Sequence, residues 1–201
     1  MVRDMKQIIA NTAQWLQDVE YQDKREQTII KVQDAVNLLF DGLNYFTNDK
    51  AEWLPEYDDV ADWLRDNKGK GLLLMGACGR GKTLLCAHVI PTIINIRCGK
   101  NVRCFKPTEL NRFLENKPIA LSRVPACIDD VGTESIKSNN YGESRCVFSE
   151  IVDDAERTGR LLLITTNLLP DEIRERYGER TLDRLKAITR LVICSGESMR
   201  K

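Results

Sequence analysis

From Gly71 onward, short apolar runs alternate with longer stretches of helical spacing. The runs Gly71–Met75, Asn101–Phe105, Pro125–Ile128, Leu161–Thr165 and Leu191–Cys194 predict strands. Between them Lys82–Arg97, Thr108–Asn116, Gly142–Arg157 and Pro170–Ala187 predict helices, the first kinked at Pro91 for want of a backbone donor. This alternation predicts an α/β fold, a parallel sheet with helices on both faces. Upstream, residues 1–47 read as helical, with Ile29, Val32, Val36, Leu39, Leu43 and Phe46 on one apolar face. Asp41-Gly42 weakens that helix without ending it. The polar stretch Tyr45–Pro55 predicts a linker, and a short helix follows from Asp58 through Trp63 and Arg65. The chain therefore divides into a short helical N-terminal extension over residues 1–50 and an α/β domain over 51–201.

With 201 residues, 42% of them hydrophobic and 30% charged, the chain suits one globular domain and excludes a disordered or collagenous one. The longest apolar runs, Gly71–Cys78 and Leu161–Ile164, are too short to span a bilayer. Met1–Glu20 lacks the apolar core of a secretion signal, so the expected location is cytoplasmic, with no membrane partner. The net charge is zero, but residues 1–70 carry −5 and residues 71–201 carry +5. That balance argues against coating nucleic acid by charge alone and leaves a mildly basic working domain. Seven cysteines without a C-x-x-C pair, beside one His, make a zinc site improbable and predict reduced thiols.

The segment Gly76-Ala77-Cys78-Gly79-Arg80-Gly81-Lys82-Thr83 fits G-x-x-x-x-G-K-[ST] between a predicted strand and a predicted helix. Its glycines let backbone N–H groups wrap a phosphate chain, and the helix N-terminus adds partial positive charge. Lys82 would reach the β- and γ-phosphates of ATP, and the Thr83 hydroxyl would bind Mg²⁺. Leu84 completes the cofactor-binding set at the first helical turn.

Ala126-Cys127-Ile128-Asp129-Asp130 is an apolar strand ending in two carboxylates, the Walker B pattern. Asp129 would hold Mg²⁺, directly or through its water, and Asp130 occupies the position of the water-activating carboxylate. Many proteins with this pattern carry Glu at the second position; Asp is one methylene shorter. The strand Leu161–Thr166 ends at Asn167, a candidate sensor of the γ-phosphate or attacking water. Arg180 and Arg184, four residues apart, share one helix face. That spacing suits surface ion pairs at least as well as an arginine finger inserted into a neighbouring subunit's site.

Taken together, GLLLMGACGRGKT, CIDDVGTES, LLLITTNL, YGERTLDRL and SGESMR resemble the AAA+ ATPases of the DnaC/DnaI helicase-loader family and the related IstB transposition ATPases. The resemblance runs from about Tyr57 to Arg200. It implies a P-loop NTPase of AAA+ type with a five-stranded parallel sheet in the order 5-1-4-3-2; the stretch of about seven residues after the last predicted strand departs from a full AAA+ module, leaving the expectation of no full helical lid. It further implies an AAA+ ATPase domain over 51–201, an ATP-dependent homo-oligomer that hydrolyses ATP between subunits, and single-stranded DNA as a partner. By position Arg180 matches the trans-acting arginine, Arg184 belongs to the same motif, and Arg200 matches a terminal Gly-x-Ser-x-Arg pattern. Lys106, Arg112 and Phe113 fall where such ATPases contact single-stranded DNA; an ordinary amphipathic helix accounts for them equally well.

Three functions follow. The leading one is an ATPase that loads a replicative helicase in DNA replication. The second is an ATPase serving a transposase, and the third is a nucleotide-dependent binding switch with little hydrolysis. A small-molecule kinase fits less well, since the paired aspartates and Asn167 suit attack by water. The N-terminal extension either grips the partner or packs on its own ATPase domain, burying Trp15 and Phe40.

Overall fold

The computed structural model describes residues 27–109, 124–134, 138–140 and 143–199. Residues 1–26 with Trp15, most of the predicted helix 108–116 with Arg112 and Phe113, and Arg200 lie outside the described residues. The elements are α1 (Ala35–Thr47), α2 (Glu56–Arg65), β1 (Gly71–Gly76), a π-helical stretch (Leu84–Val89) running into α3 (Ile90–Cys98), β2 (Arg103–Phe105) and β3 (Ala126–Val131). Then come β4 (Ser138–Asn140), β5 (Glu143–Arg145), α4 (Val147–Thr158), β6 (Leu162–Thr166), α5 (Pro170–Tyr177), α6 (Glu179–Ile188) and β7 (Thr189–Cys194).

Five strands form one parallel sheet in the order β2-β3-β6-β1-β7, the predicted 5-1-4-3-2 arrangement. Successive strand residues feed opposite faces. Leu72 and Leu74 of β1 join Leu163 and Val192 under α1, α2 and α3. Leu73 and Met75 join Ile128 and Ile164 under α4, α5 and α6, with Phe148, Ile151, Leu182 and Leu185. Each such side chain contributes about 1.5–3 kcal/mol of burial. Both faces being covered explains why the strands read as continuous apolar runs rather than alternating ones. On the edge strand β7, Leu191 and Ile193 stay exposed.

Three expectations are corrected. The N-terminal helix does not include Ile29 and Val32: residues 27–32 are outside any regular element, and α1 starts at Ala35. Ile30 and Val32 are buried two residues apart while Ile29 is exposed, a strand-like alternation that mimicked a helical stripe. The buried side chain of Asn67 holds this segment, accepting from Ile30 N (2.8 Å) and donating to Thr28 O (2.9 Å). Second, residues 143–145 of the predicted helix Gly142–Arg157 pair with 138–140 as an antiparallel hairpin, and α4 begins only at Val147. Third, Pro170–Ala187 is two helices, broken at Gly178 with φ 88°.

Other local signals hold. Gly42 sits inside α1 because a Cβ there would meet Val89 Cγ1 at 2.7 Å, so the glycine permits close packing on the π-helical stretch. Pro91 is accommodated by that stretch, where Ile90 N bonds to Leu85 O, five residues back. The carbonyl of Ala87, in the same stretch, accepts from the Cys104 thiol at 3.4 Å. Among the described residues no helix is long and apolar enough to cross a membrane, and all seven cysteines are free.

Candidate functional site: a phosphate-binding loop facing two carboxylates

The loop between β1 and the π-helical stretch takes its shape from close approaches that exclude a side chain. At Gly76 a Cβ would meet Cys194 O at 2.0 Å, and at Gly79 it would meet Ser198 Oγ at 2.0 Å, both in positive-φ backbone. The chain beyond β7 straps this loop from outside: Met199 N donates to Gly79 O at 3.0 Å.

Arg80 points away from the loop's inner surface. Its guanidinium forms a buried ion pair with Glu56 (Nη2–Oε1 2.7 Å, Nε–Oε1 3.1 Å) and donates to Glu197 O at 3.2 Å. Lys82 points inward. The residue is 7% exposed, and its ammonium donates to Gly76 O, Ala77 O and Asn167 Oδ1 at 2.7, 2.7 and 2.8 Å. Burial holds its pKa below the usual 10.5, with nearby thiols and the Asp130 and Asp129 carboxylates pulling the other way.

Asn167 also donates from Nδ2 to Asp130 Oδ1 at 3.2 Å, so one amide bridges the loop lysine and the second carboxylate. Thr165, which the sequence reading passed over, donates from Oγ1 to Asp129 Oδ1 (2.7 Å) and accepts from Asp130 N (2.7 Å). Its position two residues before Asn167 on β6 was the available signal. Asp130 itself has φ 68°, in the left-handed region. Asp and Asn tolerate that region better than most residues, a backbone reason for the shorter acid at this position.

A cavity of about 570 Å³ opens over these groups. Cys78, Gly79, Gly81, Lys82, Thr83 and Leu84 form its floor, and Asp130, Thr165 and Asn167 one wall. Leu43 and Thr47 of α1, residues 50–52, Tyr57 of α2 and Met199 form the other. Asp129 is buried behind Asp130. No cluster of three or more metal-binding side chains occurs among the described residues. Thr83 and the two aspartates are a donor set that suits Mg²⁺ only when phosphate oxygens complete it.

Arg180 and Arg184 lie elsewhere, on α6. Arg184 is held within the chain by Asp153 and by Glu156 (Nε–Oε2 2.7 Å). Arg180 is 75% exposed at its side chain, 3.6 Å from Asp153.

No family model and no curated protein matches the chain. Solved structures do. The DnaC helicase loader aligns with TM-score 0.55 at 19% identity, over 87% of this chain and 98% of that one. DnaI aligns with TM-score 0.51 at 20% identity, over 65% and 73%. AMPPCP-bound DnaA from Aquifex aeolicus aligns with TM-score 0.53 at 16% identity, over 77% and 47%. The fold is that of AAA+ proteins. In this sheet β1, lying between β6 and β7, leads into the glycine-rich loop, and the ends of β6 and of β3 beyond it bring Asn167 and Asp130 to that loop.

Proposed function

We propose that the protein binds and hydrolyses ATP and acts on a replicative helicase in DNA replication. The observation that carries the catalytic half is the hydrogen-bonded series Lys82–Asn167–Asp130 on one wall of the cavity. The similarity in fold to the DnaC helicase loader, over nearly all of that chain, supports the biological half.

The chain's own residues divide the work. Backbone N–H groups of 76–83 and the Lys82 ammonium bind the phosphates. The wall from Leu43 to Tyr57 with Met199 accommodates the base and sugar. Thr83 and, directly or through water, Asp129 would hold Mg²⁺, which would supply neutralisation of the phosphate charge when bound. Asp130 accepts a proton from the attacking water, and Asn167 holds that carboxylate and Lys82 in register. Arg180, far from its own chain's cavity and exposed, is the group offered to a neighbouring copy in an ATP-dependent homo-oligomer. Single-stranded DNA is a further proposed partner, with Lys106 exposed just past β2.

Single-turnover hydrolysis of labelled ATP, with and without single-stranded DNA and the replicative helicase, tests this reading. Hydrolysis lost in Asp130→Ala with ATP binding retained supports it. Saturable binding with undetectable hydrolysis in every assembly makes the protein a nucleotide-dependent switch.

A further inference from the structure

Glu134 is a buried carboxylate, 7% exposed, four residues beyond Asp130 and outside the cavity wall. Burying a carboxylate is costly unless its oxygens are satisfied, and an apolar side chain would pack the same space at less expense. Both oxygens are satisfied, by groups from two different regions. Oε2 accepts from Gly132 N at 2.9 Å, in the turn that leaves β3 just past Asp130. Oε1 accepts from the Tyr177 hydroxyl, at the last residue of α5. Arg176 closes the group: it donates to Glu134 O and to Tyr177 Oη (3.2 Å) and lies over the Tyr177 ring at 5.6 Å.

Tyr177 stands immediately before the break at Gly178, and Arg180 follows in the first turn of α6. Because helical hydrogen bonding is interrupted there, the direction of α6 is not inherited from α5. It is set by what grips the junction together with the packing of α6 on α4, where Leu182 and Leu185 are buried and Arg184 reaches Asp153 and Glu156. Tyr177 packs against Phe148 at 4.8 Å, and its carbonyl accepts from Thr181 Oγ1 at 3.0 Å. Arg174 of α5 pairs with Glu179 across the break, Thr181 Oγ1 also donates to Ser149 Oγ at 3.0 Å, and the hydroxyl of Tyr177 adds a tie to Glu134, the one that reaches the turn after β3.

We infer that Glu134 is a positioning residue. Through Tyr177 and Arg176 it fixes the α5–α6 junction to the turn after Asp130, so that Arg180 is presented to a neighbouring subunit in a defined direction. This rests on the reading of Arg180 as a group acting in trans. It adds a link within one subunit between the carboxylate end of its own site and the arginine it donates.

Mixed assemblies of full-length chains separate the two roles of a subunit. Lys82→Ala subunits cannot use ATP but can donate Arg180; Arg180→Ala subunits can use ATP but donate nothing. Mixed, they should recover hydrolysis. Placing Tyr177→Phe in the Lys82→Ala donor should reduce that recovery by about tenfold, the scale of a misplaced catalytic group. Placing it in the Arg180→Ala acceptor should change recovery by less than about twofold, because its site geometry is untouched. The phenyl ring keeps the Phe148 contact, and thermal melting checks the fold; should it melt early, Glu134→Gln in the donor replaces it with the same expectation. Equal loss from either subunit, or from neither, overturns the inference. No recovery in the first mixture, with mixed assembly confirmed by cross-linking, removes the shared-site reading itself and shows before Tyr177 is changed.

Discussion

Arg80 and Glu56 meet in a buried ion pair at 2.7 Å, their side chains 9% and 4% exposed. The pair joins the glycine-rich loop after β1 to the start of α2, the helix that also supplies Tyr57 to the cavity. Removing one partner of such a pair strands the other charge in a poorly solvated place. Glu56→Ala should destabilise the fold by about 3–5 kcal/mol, measured by chemical denaturation. It should also weaken ATP binding, since the loop loses its outer anchor. A cost near zero would mean that the pair is spectator to both.

Asp130 gives a sharper test because two conservative changes should part company. Asp130→Asn keeps a side chain suited to φ 68° and should fold and bind ATP as the parent does. Its single-turnover rate should fall by about 100-fold or more, for lack of a proton acceptor. Asp130→Glu keeps the acid but brings a residue less suited to left-handed backbone, at about 1 kcal/mol, and should not hydrolyse faster than the parent. A faster Glu variant would contradict the backbone explanation for the shorter acid.

Asn167 bridges Lys82 and Asp130 through opposite ends of one amide. Asn167→Ala should leave ATP affinity within about threefold and lower the hydrolysis rate by about 10–100-fold, because positioning is lost and the ammonium is not. Asn167→Asp exchanges the donor for a second carboxylate beside Asp130 and should be the more damaging of the two. Equilibrium binding and single-turnover rates on the same preparations decide it.

Alkaline pH should unfold the protein by a traceable route. Burial pushes the Cys194 thiol from 9.0 up to about 11 and the Tyr57 phenol from 10.0 up to about 12. Folding favours the neutral forms, so their contribution is intact below pH 9 and drains as pH rises toward 12. Lys82 acts oppositely: its amine is held below 10.5 by burial, so it adds stability as pH climbs toward 10.5 and offsets part of the loss. Melting temperature should therefore fall above pH 9 and most steeply between pH 10.5 and 12. In Tyr57→Phe the upper part of that fall should shrink; curves that stay parallel would discount the phenol.

Much of this architecture was legible because its signals are local. Five apolar runs and the glycine-rich turn announce the sheet and the loop wherever the rest of the chain goes. Asp129, Asp130 and Asn167 stood out as candidates because each directly follows an apolar run, and the structure brings Asp130 and Asn167 to one cavity. What escaped depends on distant partners. Ile29 and Val32 look helical until Asn67, 37 residues from Ile30, holds the segment outside the helix. Thr165 looks like a β-branched strand residue until Asp129 is beside it. Arg80 looks like a phosphate ligand until Glu56 claims its side chain. Gly178 carried a local signal that the helical pattern around it masked, and the hairpin at 138–145 pairs short polar segments that no apolar pattern marks.

The cavity draws its walls from α1, the loop after β1, the ends of β3 and β6, and Met199, parts of the chain remote from one another in sequence. A nucleotide seated there would fasten these pieces together like a removable staple, and the chain could not come apart without first letting it go. At a concentration 100 times its dissociation constant, such a ligand adds about 2.7 kcal/mol to stability. How fully the cavity is occupied would thus govern how long each molecule survives proteases, quite apart from whether it is working.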